Sequence, residues 1–381
     1  MAKKRLGQYF TTNNDLQRVV SIFIRNNPEV ILEPSVGRGD LLVEVLKRFP
    51  FVALDLYEID DTLDTLNCIK KEQIIFCDFL TCEIHKKYRT IISNPPFIKL
   101  KKEYNQYIKF IEKCIELLDD DGELIVIVPS DFFYTTSAIS IIKTMLINGT
   151  FTDIYNPHND KLFEGATIDV IVFRYQKTQN IDNSVKYNDK QRYLFNVNGM
   201  VLFRKINTPF KLISDYFNAY VGLVSGKETI FKNDILANTE IIIGKNKVAK
   251  YILLDSFPSN NENINDYMLS YKNELLERKI RKFNDKNWFE WGALRNINVM
   301  KEFEGERCIY VKTLTRHKKI AFKGRIALFG ANLIMLKPKY DNIDIKHIVK
   351  VLNSTSFRKC FTFSGRFKIG QRQLLNAPLD I

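Results

Sequence analysis

Asn94, Pro95, Pro96 and Phe97 place an amide, a stiffened backbone and an aromatic face in four consecutive positions. The asparagine side chain offers one carbonyl oxygen, and the main-chain carbonyl of Pro95 offers a second. Neighbouring prolines have a fixed φ, so the direction of both oxygens is set by the backbone itself. Phe97 adds a flat stacking surface. Two acceptors beside one aromatic ring suit an exocyclic amino group on a planar base: each oxygen takes one N–H while the ring lies against the base. The element that must position them is a strand. Thr90-Ile91-Ile92 is β-branched and apolar, as in a buried strand, and the prolines end it because neither can donate to a ladder. Asn94 then stands at the strand's carboxyl end, the edge at which open α/β sheets bind ligands.

The residues before it are expected to build the rest of that edge. The spacing of Leu16, Val19, Val20, Ile22 and Phe23 predicts an amphipathic helix over Asp15 to Asn26. Val30-Ile31-Leu32 reads as a strand running into Glu33-Pro34-Ser35-Val36-Gly37-Arg38-Gly39-Asp40 and a helix from Leu41 to Arg48. Strand, glycine turn and helix form the first unit of a doubly wound sheet. A second strand, Phe51 to Glu58, brings Glu58 and Ile59 to the edge about twenty residues after the glycines, where an acid accepts the ribose hydroxyls of an adenosine-containing ligand. Asp55 lies earlier in that strand. A third, Gln73 to Cys77, delivers Asp78 and Phe79, which suit an adenine amino group and ring face. Beyond Asn94 the pattern predicts a helix over Tyr104 to Leu118, a turn at Asp119-Asp120-Asp121-Gly122, a strand from Glu123 to Val128 closed by Pro129, a helix over Ala138 to Leu146, and strands at Phe151 to Tyr155 and Ile168 to Tyr175. Residues 1–177 are thus expected to form one α/β domain.

Hydrophobic content of 45% and aromatic content of 12% describe a folded chain and exclude a disordered one. No run approaches the apolar length of a membrane span, and the first residues are basic and polar, so a cytoplasmic protein is expected, or one of the host-cell cytoplasm if the source is a virus. Six cysteines without a CxxC pair, together with four histidines, indicate neither a metal site nor a disulfide framework. Cys77 and Cys82 read as core residues. The net charge of +13 is unevenly spread: residues 1–180 hold 22 Lys and Arg against 25 Asp and Glu, leaving 35 against 19 for the remainder. A near-neutral first half and a second half near +16 suggest a small ligand in one and a polyanion on the other. Residues 178–184 read as a linker, followed by short strands at Tyr193 to Val197, Val201 to Lys205, Ile241 to Ile243 and Ile326 to Phe329. Basic clusters at Arg278 to Lys282, Arg316 to Lys319 and Arg358 to Arg372 are candidate phosphate contacts.

In this order the motifs resemble the gamma class of amino-methylating DNA methyltransferases of restriction-modification systems. Gly7-Gln8-Tyr9-Phe10-Thr11 is similar to the leading segment of that class, Glu33-Pro34-Ser35-x-Gly37-x-Gly39 to its glycine motif, and Asn94-Pro95-Pro96-Phe97 to its catalytic motif. The stretch Lys161 to Val170 looks like its later motif, in which Phe163 stands where an aromatic residue stacks on the opposite face of a flipped base. Gly222 to Lys227 and Asn287 to Gly292 resemble parts of its recognition domains, and equally suit packing elements. The resemblance implies a Rossmann-like S-adenosylmethionine-dependent methyltransferase domain over 1–177 and a mixed α+β target-recognition domain over 178–381. It implies catalytic roles for Asn94, Pro95, Pro96, Phe97 and Phe163. Cofactor contacts are implied at Gln8, Tyr9, Phe10, Thr11, Glu33, Pro34, Ser35, Gly37, Gly39, Glu58, Ile59, Asp78, Phe79 and Asn94. The expected reaction moves a methyl group from S-adenosylmethionine to adenine N6 in duplex DNA, without a metal or a covalent intermediate. The expected setting is a monomer with a cognate restriction endonuclease as partner. An RNA base N-methyltransferase and an N4-cytosine DNA methyltransferase are the alternatives. A protein-glutamine methyltransferase does not account for the basic second half, and a C5-cytosine enzyme would need a Pro-Cys pair that this chain lacks.

Overall fold

The computed structural model describes residues 9–98, 105–163, 167–363 and 365–379. Their contacts define two compact units, one up to Thr208 and one from Pro209. The first is built on a ten-stranded sheet: β1 (Val30–Glu33), β2 (Ala53–Glu58), β3 (Ile74–Phe76), β4 (Tyr88–Ser93), β5 (Leu118–Pro129), β6 (Gly149–Tyr155), β7 (Val170–Lys177), β8 (Ser184–Tyr187), β9 (Lys190–Val197) and β10 (Met200–Arg204). Their order is β3-β2-β1-β4-β5-β7-β6-β8-β9-β10. The pairs β3-β2, β2-β1, β1-β4 and β4-β5 are parallel, and β7 enters antiparallel between β5 and β6. Chain order reverses between β1 and β4, and this Rossmann-like switch point opens a crevice above their carboxyl ends.

Side-chain alternation explains why both faces are covered. On β1, Leu32 joins one buried cluster and Ile31 the other, and on β4 Ile91 and Ile92 divide in the same way. Helices α1 (Asn14–Phe23) and α2 (Val43–Arg48) supply Leu16, Val20 and Val45 to one face. Helices α3 (Gln106–Leu117) and α4 (Ile139–Asn148) supply Ile108, Ile111, Ile142 and Met145 to the other. Each such aliphatic side chain contributes about 1.5 to 3 kcal/mol by leaving water.

Three local expectations differ from what forms. Helix α1 ends at Phe23 rather than Asn26 because the N–H groups of Arg25 and Asn26 turn to the Glu123 carboxylate at 3.0–3.1 Å. Its buried face is Leu16, Gln17, Val20 and Ser21, while Ile22 is exposed. The Asp119 to Gly122 turn becomes part of β5, as an irregularity that shifts the β4 register between Tyr88 and Thr90, with Asp121 at φ 56°. Residues 178–208, expected to open the second domain, belong to the first unit, because β8 pairs with β6 and the β9-β10 hairpin extends the same sheet.

The second unit holds a four-stranded antiparallel sheet in the order β11 (Phe217–Val221), β17 (Leu333–Pro338), β14 (Arg307–Lys312), β16 (Ala321–Arg325). A hairpin joins β12 (Thr239–Gly244) to β13 (Lys247–Tyr251), and a small sheet has the order β15 (Leu314–Thr315), β19 (Arg366–Lys368), β18 (Thr362–Phe363). Ile326 to Phe329 is not a strand; it crosses from β16 toward β17, and Phe329 makes only an isolated bridge to Ile242. Trp288 and Trp291 are each 3% exposed, and the Trp291 indole N–H donates to Ile252 O at 2.8 Å. The Asn287 to Gly292 stretch is therefore a packing element. Gly222 is one as well: a Cβ there would meet Gly330 O at 2.3 Å, so only glycine permits the approach of these two backbones. No described helix is long and apolar enough to cross a membrane.

Candidate active site

A cleft of about 240 Å³ opens at the carboxyl ends of β1 to β4. Tyr9, Phe10, Thr11, Glu33, Pro34, Ser35, Gly37, Glu58, Ile59, Asp78, Phe79, Asn94 and Pro96 all line it. Gln8 lies outside the described residues, as do residues 164–166 of the later motif. Gly39 is not part of the lining. It has φ 92°, and a Cβ there would fall 2.7 Å from Ile69, so glycine is what the turn requires there. Asp40, Leu41, Cys77, Ile98, Gln106 and Phe110 line the cleft without having been singled out in the sequence. Cys77, half-buried, both packs against the core and lines the cleft. Only Asp40 carried a usable signal, as the acid closing the glycine turn. Among the described residues no cluster of His, Cys, Asp and Glu could hold a metal ion.

Two acids face this space from adjacent strands. The Glu58 carboxylate, 7% exposed, accepts from the backbone N–H groups of Gly37 at 2.8 Å and of Ile59 and Asp60 at 3.0 Å. Those bonds lock it across the glycine turn, whose Gly37 at φ 56° packs against the Phe10 ring. Asp55 points elsewhere, to Lys86 and the Tyr88 hydroxyl at 2.8 Å. Glu33, 1% exposed, accepts from Ser35 N at 3.0 Å and Ser35 Oγ at 3.2 Å through Oε1, while its Oε2 is buried without a partner. Burial pushes its carboxyl up to about 8; the Ser35 hydrogen bonds oppose this and the charge of Glu58 adds to it.

A carboxyl with a raised folded-state pKa keeps its proton when the unfolded chain has lost it, so stability falls as pH rises between the ordinary value of 4.5 and about 8. Below that window the group contributes nothing. Ligand-free wild type is expected to lose on the order of 1.4 kcal/mol per pH unit from this group, and Glu33→Gln to lose none. Calorimetric unfolding at pH 5, 6.5 and 8 checks this; parallel Tm profiles for the two proteins would refute it.

Asn94, just beyond the carboxyl end of β4, lines the cleft. Its Nδ2 donates to Tyr9 O at 2.7 Å and Thr11 Oγ1 at 2.9 Å, and its Oδ1 is buried with no partner. Phe97 stacks on Tyr9 at 6.1 Å between centroids and 25° between planes. Phe163, 3% exposed, meets Phe97 edge-on at 6.4 Å and 82° and also packs on Tyr9 at 6.0 Å. The two phenylalanines are thus brought together, with Tyr9 as a third ring that the sequence had assigned only to the cofactor. In this edge-on arrangement a flat ring cannot lie between them until one of them turns.

The second unit separates its basic clusters. Arg278 is 7% exposed and donates to the carbonyls of Leu275, Ser225, Glu290 and Trp288, with its guanidinium 3.8 Å from the Phe283 ring centroid. Burial is the main reason its pKa falls to about 10. Arg281 pairs with Glu290. Arg278 therefore braces the fold rather than meeting phosphate, while Lys279 and Lys282 of the same cluster are exposed, and Arg278→Met is expected to lower stability by about 3 kcal/mol, since it leaves several buried carbonyls unpaired; thermal unfolding measures it.

The other two clusters meet. Residues 307–325 contain seven Lys and Arg and no acid, and residues 345–379 contain the same. The small sheet pairs Leu314 with Lys368 and Thr315 with Phe367, which sets the Arg316 to Lys319 turn beside Arg366 and Lys368. Asn353, at the end of the helix Ile345–Leu352, accepts from Ile320 N and Ala321 N at 2.7 and 3.0 Å and so holds that turn. Arg316, Lys318, Lys319, Lys359, Arg366 and Lys368 are exposed, and among the described residues no carboxylate pairs with them.

Residues 54–163 match the family described as Eco57I restriction-modification methylase. The Type II methyltransferase M.HincII of Haemophilus influenzae is 32% identical over 202 residues, which is 48% of this chain and 39% of that protein. The ribosomal RNA small subunit methyltransferase A of Helicobacter pylori is 44% identical over 64 residues, 16% of this chain and 22% of that one. In the solved complex of DrdV with DNA the fold is shared at a TM-score of 0.53 and 11% identity, over 89% of this chain and 50% of that one. The chain spans about two fifths of the length of the first curated relatives it matches. Over its first half, then, the chain has a Rossmann-like methyltransferase fold and is similar to the methyltransferases of restriction-modification systems.

Proposed function

We propose that the chain is a site-specific DNA methyltransferase that moves a methyl group from S-adenosylmethionine to N6 of an adenine extruded from duplex DNA. The observation that carries this reading is the Asn94 amide: its nitrogen is tied down, and its carbonyl oxygen is buried beside the cleft with nothing to accept from. A buried acceptor without a partner costs free energy until a donor arrives. An amino group supplies that donor.

The cleft residues fit the cofactor. Glu58, fixed by three N–H bonds, suits ribose hydroxyls, and Asp78 with Phe79 suits the adenine amino group and ring. The partnerless Oε2 of Glu33 suits the cationic amino acid end. When bound, S-adenosylmethionine supplies an electrophilic methyl group on a sulfonium. The chain's own part is to hold and aim the acceptor. Adenine N6 is a poor nucleophile because its lone pair is delocalised into the ring. Asn94 Oδ1 and the Pro95 carbonyl would take its two hydrogens, favour a tetrahedral nitrogen and direct the lone pair, so that rate comes from orientation and electrostatics. Extruding a base costs a few kcal/mol. Stacking on Phe97 and Phe163 at about 1 to 3 kcal/mol per base offsets much of it, once one ring has turned. The exposed, acid-free basic surface of the second unit suits a phosphate backbone.

RNA as substrate is the second reading, favoured by the local match to the ribosomal RNA enzyme. Expression in a host without DNA methylation, followed by sequencing of native DNA, decides between them. N6-methyladenine at one short recurring sequence is the expected result. N4-methylcytosine would move the target, and unmodified DNA alongside methylated RNA would replace the reading.

A further inference from the structure

We propose that Thr11 and Gln17 are positioning residues that hold the Asn94 amide with its oxygen toward the reacting nitrogen. This rests on the reading of Asn94 as acceptor for the target amino group and adds how its direction is set. An asparagine amide can turn by half a revolution about its last side-chain bond, exchanging a donor for an acceptor at almost no steric cost. In the wrong orientation the target amino group would meet an NH2, and no hydrogen bond would form. The orientation therefore has to be enforced by neighbours.

Tyr9 O and Thr11 Oγ1 enforce it. A main-chain carbonyl can only accept, so the end of the amide facing Tyr9 O at 2.7 Å must be the NH2. Thr11 Oγ1 accepts the second hydrogen at 2.9 Å. With both nitrogen hydrogens used, the oxygen is left as the free end, which is the atom found buried without a partner. Thr11 is itself held. It is 2% exposed, and its carbonyl accepts from Gln17 Nε2 at 2.7 Å. Gln17 is 4% exposed on the buried face of α1 and is absent from the cleft lining, so it acts on Asn94 only through Thr11. Helix α1 is fixed at both ends, by Asn13 capping Leu16 N at 3.1 Å and by Glu123 taking the N–H groups beyond its last turn. A segment more than eighty residues upstream thus sets the aim of the catalytic amide.

The 381-residue chain tests this as wild type, Thr11→Val, Thr11→Ser and Gln17→Met. Three quantities are read: single-turnover methyl transfer to duplex DNA at saturating cofactor, calorimetric affinity for S-adenosylhomocysteine, and hydrogen exchange of the Asn94 side-chain amide by NMR on asparagine-labelled protein. Thr11→Val keeps the side chain's shape and removes the acceptor. It is expected to slow transfer by about ten- to a hundredfold with cofactor-product affinity within about threefold, and to speed amide exchange. Thr11→Ser restores the hydroxyl and is expected to recover most of the rate; Gln17→Met is expected to follow Thr11→Val with a smaller loss. Wild-type transfer by Thr11→Val, or an equal defect in Thr11→Ser, overturns the proposal. So does an Asn94 amide that exchanges freely in the wild type. A wild type inert on every nucleic acid, with the amide protected and exposed again by Thr11→Val, removes the functional reading and leaves the anchor standing.

Discussion

Asn94→Ala is expected to lower methyl transfer on the order of a thousandfold at saturating cofactor, with the affinity for S-adenosylhomocysteine changed by no more than a few fold. Two arguments set the size and the split. On the proposed reading, the partnerless Oδ1 is the atom that accepts from the target nitrogen. Its interaction strengthens as the nitrogen becomes tetrahedral and positive, so removing it raises the barrier more than it weakens binding. Most of the contacts expected to hold the cofactor come from the ends of β1, β2 and β3, and alanine at Asn94 leaves the backbone bonds to Glu33 and Glu58 in place. Pre-steady-state transfer and calorimetry separate the two. Turnover within tenfold of wild type would remove Asn94 from the mechanism, and a parallel loss of cofactor affinity would recast it as structural.

Reversing charge at Lys318, Lys319 and Arg366 together is expected to weaken duplex binding by at least a hundredfold near 0.1 M salt and to flatten its salt dependence. Each phosphate contact releases condensed counterions and contributes about −0.9 to the slope of log K against log salt, so three lost contacts lower the slope by roughly 2 to 3. The three residues lie on the Arg316 to Lys319 turn and the β19 strand beside it, exposed and without carboxylate partners among the described residues. Because phosphate contacts carry no base information, the weakening should be similar for all sequences. Fluorescence anisotropy across a salt series reads it. An unaltered slope would place the DNA on another face, and Arg278→Met, which braces the core, should leave the slope alone while lowering Tm.

Much of the cleft was legible before any coordinates, because its parts are local. A β-branched run stopped by Pro95 and Pro96 makes a strand end at Asn94 wherever the strand lies. Gly37 needs a positive φ, and the acid of Glu58 follows at the end of the next strand, so the loop and the strand end that form the pocket are written in consecutive residues. What could not be read was anything depending on partners far apart in the chain. The shortening of α1 depends on Glu123, nearly a hundred residues later. The extension of the first unit to Thr208 depends on β8 finding β6 rather than on the polar stretch that precedes it. Three basic clusters looked alike as sequence, yet Arg278 is enclosed by carbonyls and rings while Arg366 is in water.

Sequence alone determined which groups stand at the strand ends and therefore what chemistry the cleft offers, because strand period, proline stops and glycine turns act within a few residues. The tertiary structure alone decided the orientation of those groups: that the Asn94 nitrogen is tied and its oxygen left free, and that Phe97 and Phe163 meet edge-on. Those outcomes are set by hydrogen bonds and ring contacts between segments tens of residues apart, and no local rule of backbone or pattern contains them.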